Sequence, residues 1–287
     1  MPACFFVSDL HGRVERYQRL FAAVRCELPA AVFLGGDLLP PGLLAAASGE
    51  PPPGAFVRGF LADHLAQLRR DLGARYPAVF VVIGNDDARI DEEAVLVVAA
   101  EGLWEYAHGR RIEWAGLSVF GYACVPPTPF LLKDWERYDV SRFVDPGCVP
   151  PEEGLRTVPV PERDVLTGTI AGDLGALAGH ADLGRSIWLF HAPPHDTVLD
   201  RAALDGRMVD YAPVDVHVGS IAIRRFIEAR QPLVTLHGHV HESTRLTGVW
   251  RLQMGRTHAF NAAHDGPELA LVRFDPDDLE PATRTLL

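Results

Sequence analysis

Short apolar runs rich in β-branched and aromatic residues recur along the chain at Cys4–Val7, Ala31–Leu34, Ala78–Ile83, Leu117–Tyr122, Ile187–Phe190, Leu233–Leu236 and Leu269–Phe274. Runs with no polar face are the pattern of strands buried on both sides of a sheet. Between them apolar residues repeat at helical spacing: Val14, Tyr17, Leu20, Phe21 and Val24; Phe60, Leu61, His64, Leu65, Leu68 and Leu72; Leu166, Ile170, Leu174 and Leu177; Ile223, Phe226 and Ile227. Strands alternating with helices predict an α/β architecture with much parallel pairing. From Tyr106 onward strand candidates also follow one another directly: Arg111–Trp114 before Leu117–Tyr122, then Val249–Met254, Thr257–Phe260 and Leu269–Phe274. This predicts a second, partly antiparallel sheet.

Polar residues of one chemical kind sit immediately after five of the strands. Phe5-Phe6-Val7 leads into Ser8-Asp9-Leu10-His11-Gly12, Val32-Phe33-Leu34 into Gly35-Gly36-Asp37, and Val79–Ile83 into Gly84-Asn85-Asp86-Asp87. Ile187–Phe190 ends on His191, and Leu233–Leu236 on His237-Gly238-His239-Val240-His241. Ligands of open α/β sheets bind at the carboxyl ends of the strands, so five deliveries of Asp, Asn and His predict one convergent site. Neighbouring glycines let the backbone turn sharply there.

A lone Asp-x-His pair carries little weight, because 22 Asp and 12 His in 287 residues produce about 0.9 such pairs by chance. Asp215-Val216-His217 is a second copy, read as a loop ahead of the helix that Gly219-Ser220 opens. Gly238-His239-x-His241 is rarer, with about 0.05 expected by chance. Carboxylate, imidazole and amide oxygen together suit Mn, Fe, Zn or Co; an all-oxygen shell would favour Mg or Ca. Asp37 has two oxygens with which to bridge two ions, and a two-ion site can generate a hydroxide nucleophile and clamp the oxygens of a phosphoryl displacement. Two such ions, Asp9, Asp37 and a hydroxide sum to about +1, a field that welcomes phosphate.

The ordered set Asp9-x-His11, Gly36-Asp37, Gly84-Asn85, His191 and Gly238-His239-x-His241 resembles the calcineurin-like metallophosphoesterase family over roughly residues 3 to 264. The resemblance implies a four-layer αββα sandwich of two mixed β-sheets flanked by helices. It also implies that Asp9, His11, Asp37 and His241 hold one divalent metal ion, and Asp37, Asn85, His191 and His239 a second. One position departs from the family. Its usual Gly-Asn-His motif supplies a leaving-group acid or phosphate contact, and here that position is Asp86, followed by Asp87. A carboxylate beside a phosphate costs affinity, and an ordinary carboxylic acid is already ionised at neutral pH. A diester therefore fits better than a dianionic monoester. His195, four residues past His191 on a Pro-stiffened turn, is a candidate leaving-group acid with Asp86, since imidazole suits proton transfer at neutral pH. His237 is expected to point into the core. Asp87 and Asp91 are expected to cap a helix, and Arg89 is a weaker candidate for phosphate contact.

Composition narrows the function. With 27 Lys+Arg against 38 Asp+Glu the net charge is −11, which argues against long nucleic acids as partners. Four scattered cysteines and no apolar run of spanning length lead to the expectation of a cytoplasmic protein with no membrane anchor. The 287 residues read as a single domain. Pro40–Gly54 reads as a surface loop. Val125–Pro161, with eight prolines, Lys133, Trp135 and Tyr138, reads as an insertion that either caps the substrate or packs passively. The expected activity is hydrolysis of a small phosphate ester by a metal-bridging hydroxide, diester before monoester. The alternatives are a protein or nucleotide phosphomonoesterase, and an inactive scaffold of the same fold.

Overall fold

The apolar runs become the inner strands of two six-stranded sheets in the computed structural model, which describes residues 3–41, 52 and 54–287. The first sheet begins β1 (Cys4–Val7), α1 (Val14–Glu27), β2 (Ala31–Gly35), α2 (Asp63–Leu72), β3 (Ala78–Val82), α3 (Glu92–Ala100) and β4 (Glu105–Tyr106). These four strands are parallel neighbours, as helical crossovers require. The second sheet takes β5 (Arg111–Trp114), β6 (Leu117–Tyr122), β7 (Ser186–Phe190), β10 (Val234–His237), β11 (Arg251–Met254) and β12 (Thr257–Asn261) in the order β11-β12-β10-β7-β6-β5. The intervening β8 (Met208–Val209) and β9 (Ala212–Pro213) form a separate hairpin.

Contrary to expectation, the last apolar run does not join the second sheet. It forms β13 (Ala270–Asp275), which pairs antiparallel with the free edge of β1, Cys4 opposite Phe274, and is covered in turn by β14 (Asp278–Leu286). An uncovered β1 edge would leave a row of unpaired backbone groups beside the core, and Phe274 lands against Phe33 and Phe260, at 5.9 and 5.7 Å.

Between the sheets Phe33 stacks on Phe80 at 5.1 Å, and Trp114 of the second sheet meets both rings edge-on. Burying each large apolar side chain contributes about 1.5–3 kcal/mol. On the outer faces Tyr17 of α1 packs with Phe56 and Phe60, and Phe226 of the helix Ile221–Arg230 packs on Trp188. The layers are therefore helix, sheet, sheet, helix. The predicted helix over 166–177 is two helices, Glu162–Thr167 and Ile170–Ala178: Gly168 is extended, and Thr169 caps the second through the N–H of Gly172. Among the described residues no helix is long and apolar enough to cross a membrane.

Within Val125–Pro161, isolated bridges join Val125 to Glu136 and Leu132 to Leu155. Lys133 is wholly buried and donates to Glu136 and to the carbonyl of Thr128, while Trp135 and Tyr138 are also buried. Lys133 ties the insertion to itself, whereas Trp135 packs it onto the core, edge-on to His108 at 5.0 Å and beneath Arg89. Most of Pro40–Gly54 lies outside the described residues.

Candidate metal centre

Backbone hydrogen bonds draw the five strand-end loops together. Asp9 and His11 donate through their amides to the carbonyls of Gly36 and Asp37, at 2.9 and 2.8 Å, and the amide of Gly238 donates to His191 O at 2.8 Å. The amide of His239 donates to the Asp9 carboxylate at 3.1 Å. Asp87 does not cap a helix as expected. Its wholly buried carboxylate accepts from the amides of Leu38 (3.1 Å), Leu39 (2.7 Å) and Gly84 (2.8 Å), fastening the loop after β3 to the loop after β2. Burial, with the charge of Asp37 next, pushes its carboxyl up to about 7.

Conformation is constrained as tightly as connection. Asp9, His11, Asp37 and His239 hold φ of 58°, 48°, 50° and 70°, a left-handed region that side chains disfavour and that persists where surrounding structure enforces it. A Cβ on Gly84 would stand 2.6 Å from His191 Nε2 and against Asp37 Oδ1, and one on Gly238 would stand 2.5 Å from Asp9 Oδ2. Both glycines are needed for close approach, not for turn geometry.

The side chains meet in two overlapping sets. One donor atom each from Asp9, His11, Asp37 and His241 lie within 4.8 Å of one another, and so do donor atoms of Asp37, His191 and His239. Asp37 belongs to both. The amide oxygen of Asn85 is 3.0 Å from His191 Nε2 and completes the second set. Both inner imidazoles are held with Nε2 turned to the cluster: His191 Nδ1 donates to Gly35 O at 2.8 Å, and His11 Nδ1 lies 3.3 Å from Asp86 Oδ2. A second partner that fixes the tautomer is how proteins orient metal-binding histidines. His237 shows the contrast. Its two nitrogens meet Ala192 O and Thr235 Oγ1, both at 2.8 Å, and its ring stacks on Phe190 inside the core, as expected from sequence.

Electrostatics agree with a cation site. Burial disfavours charged imidazole, yet Asp86, Asp37 and Asp9 push His11 up to about 9, and Asp37 and Asp9 do the same for His191. Asp37 and Asp9 stay below the usual carboxylate range despite burial, held there by the neighbouring imidazoles, among them His191 for Asp37 and His241 for Asp9. His239, half-buried and beside His191, drops to about 4 through desolvation first and the His191 charge next. The carboxylates thus demand positive charge in the space they share. Mixed nitrogen and oxygen donors in two sets that share Asp37 could hold two metal ions.

The cluster opens onto a cavity of about 280 Å³ lined by His11, Asp37, Asn85, Asp86, His239 and His241, with Phe130, Leu132 and Glu242 completing the wall. Phe130 and Leu132 come from the Val125–Pro161 insertion; no sequence signal marks Leu132 or Glu242, although Glu242 directly follows a ligand. His195 is placed elsewhere: its Nε2 lies 3.4 Å from Asp215 and its ring faces His217, because Pro193 and Pro194 turn the chain toward Ser220 after His191. Arg89 pairs with Glu92 and lies over Trp135, not over the cluster. Asp91 accepts from the amide of Gly54.

Residues 4–243, a span that holds every proposed ligand, match the family model described as calcineurin-like phosphoesterase. The chain belongs to the calcineurin-like phosphoesterase family. No curated protein matches it in sequence. Among solved structures, this family member resembles TT1561 of Thermus thermophilus at 16% identity and TM-score 0.57, covering 99% of this chain and 98% of that one. It also resembles the phosphopantetheinyl hydrolase PptH of Mycobacterium tuberculosis at 14% identity and TM-score 0.53, covering 92% and 90%. At such identities the likeness speaks for the shared two-sheet fold of this calcineurin-like chain.

Proposed function

We propose that the protein is a cytoplasmic metal-dependent phosphoric ester hydrolase that acts on small phosphate esters and turns over diesters better than monoesters. The observation that carries the diester preference is the composition of the cavity wall: among the described residues it includes the carboxylates of Asp86 and Glu242 and neither lysine nor arginine. A dianionic monoester would meet two acidic groups there with no side-chain cation to offset them, whereas a diester brings a single charge. Two divalent ions of the Mn, Fe, Zn or Co class, one held by Asp9, His11, Asp37 and His241 and the other by Asp37, Asn85, His191 and His239, would supply Lewis acidity and an activated water.

The chain's own residues do the rest. Asp86 orients His11 through Nδ1, and its backbone amide donates to Asp37 Oδ1 at 2.8 Å, so it positions two ligands at once. Its place at the cavity wall and its contact with His11 support a positioning role more directly than an acid role. His195 lies away from the cavity, so the reading favours substrates whose leaving group departs with little protonation. The net charge of −11 supports small esters over long nucleic acids.

The test compares a bis-aryl and a mono-aryl phosphate under Mn²⁺ in the parent and in Asp86→His. The variant is expected to raise monoester turnover relative to diester turnover. An unchanged ratio across pH would overturn the proposed specificity.

A further inference from the structure

Beneath the 125–161 insertion lies a second polar cavity of about 70 Å³ that shares no lining residue with the metal cavity. That is room for several water molecules or one small polyatomic ion. Arg89, Arg137 and Arg156 line it together with His108 and Trp135.

Arg156 already donates from its terminal nitrogens to Lys133 O and Pro151 O, and Arg89 Nε to Glu92, but two buried donors of the lining have no hydrogen-bond partner. Trp135 is 1% exposed, and its buried Nε1 has no hydrogen-bond partner. A buried indole N–H usually has one. Arg137 Nε is also buried without a hydrogen bond, standing 3.1 Å from Asp173 Oδ2 but not aligned to donate to it. The inner carboxylates are already engaged. Asp134 accepts from the amides of Arg89 and Thr157, at 2.8 and 2.9 Å, and Glu136 accepts from Lys133 and from the amide of Thr128. Asp164 lies at the solvent side. His108 reports the local field: burial first, then the charges of Arg89 and Arg137, hold it down to about 4.

We propose that this cavity binds a small inorganic oxyanion of the sulfate or phosphate class, gripped by the guanidinium groups of Arg89, Arg137 and Arg156 and by the indole N–H of Trp135. Guanidinium forks match the oxygens of such anions. Arg89 follows the loop that carries Asn85 and Asp86, while the other three belong to the insertion that sends Phe130 and Leu132 to the metal cavity. A bound oxyanion therefore ties the insertion to a metal-bearing loop. The site stands independently of the proposed phosphoesterase activity.

Sulfate titrated into the metal-loaded full chain, at ionic strength held constant with chloride, tests this through the indole ¹H–¹⁵N resonance that disappears in Trp135→Phe. Trp104 and Trp188 are internal controls, since their indoles already donate to Val95 O and Ser186 Oγ. The Trp135 resonance is expected to shift saturably in the parent and equally in Asp37→Asn, whose metal centre is impaired. Arg137→Gln is expected to raise the half-saturating sulfate concentration about tenfold. A resonance unmoved by sulfate and phosphate would mean a cavity holding water only, and a shift abolished in Asp37→Asn would place the anion at the metals. Either result overturns the proposal.

Discussion

Replacing Gly84 by alanine adds one methyl group at the most crowded point of the cluster. An ideal Cβ there stands 2.6 Å from His191 Nε2 and 2.5 Å from the amide nitrogen of Asp37, and it crowds Asp37 Oδ1 more closely still. Ordinary contact needs about 3.5 Å, so His191 or the loop must give by about 0.9 Å. Metal–ligand distances tolerate only about 0.2 Å. Retreat of the loop is opposed by Asp87, which holds the Gly84 amide and the amides of Leu38 and Leu39 on one buried carboxylate. Because Asp37 serves both sets, both ions weaken together, by about 100-fold or more. At a metal concentration of about 100 Kd for the parent, binding at one site stabilises the fold by about 2.7 kcal/mol; in the variant the same concentration is near Kd and contributes about 0.4 kcal/mol. The assay is thermal melting with and without Mn²⁺, alongside elemental analysis after dialysis. The variant is expected to melt below the parent when metal-stripped, since overpacking costs about 1–3 kcal/mol, and the gap is expected to widen when both are loaded. Full metal retention with an undiminished melting shift in Gly84→Ala would refute the reasoning.

Two stability predictions lie away from the metals. Lys133→Met leaves the Glu136 carboxylate buried without its cation, at a cost of about 3–5 kcal/mol near neutral pH, whereas Lys133→Met with Glu136→Gln is expected within about 1 kcal/mol of the parent in urea unfolding. Burial with incomplete compensation by Lys133 already raises Glu136 to about 7, so the cost of the single variant should shrink as pH falls and the carboxyl protonates. The sign for His108 is opposite. Its folded value of about 4 lies below the ordinary 6.5, so the unfolded chain takes up the proton first, and stability present above pH 6.5 is lost as pH falls toward 4, by up to about 3 kcal/mol. His108→Gln, which keeps an acceptor for the Ala123 amide, should flatten that acid limb; an identical pH profile would contradict it.

The sequence made the inner strands and every proposed ligand legible because each ligand adjoins a strand with no polar face. Pairing was less legible. Whether Leu269–Phe274 extends the second sheet or closes the first depends on which backbone edge lacks a partner, and side-chain pattern does not encode that. The helix Glu92–Ala100 has apolar residues on all sides, so no amphipathic stripe marked its extent. The apolar spacing of Leu166, Ile170, Leu174 and Leu177 runs through a break that Gly168 and Thr169 impose. At the site the types and spacing were readable, but secondary contacts were not. Asp87 reads as a helix cap beside Asp91 until the loops are brought together, and Asp86 reads as a replacement acid until His11 is found 3.3 Å away. His195 looked eligible by chain distance from His191, and only the turn at Pro193-Pro194 removes it.

Metal stoichiometry of Asp37→Asn beside that of the parent tests the shared-ligand centre most directly. After reconstitution with Mn²⁺ and dialysis, elemental analysis should find two ions per chain in the parent and almost none in the variant, with diester hydrolysis lost in parallel. Two ions retained by Asp37→Asn, or full hydrolysis by a parent that holds none, would contradict a dinuclear site built on that carboxylate.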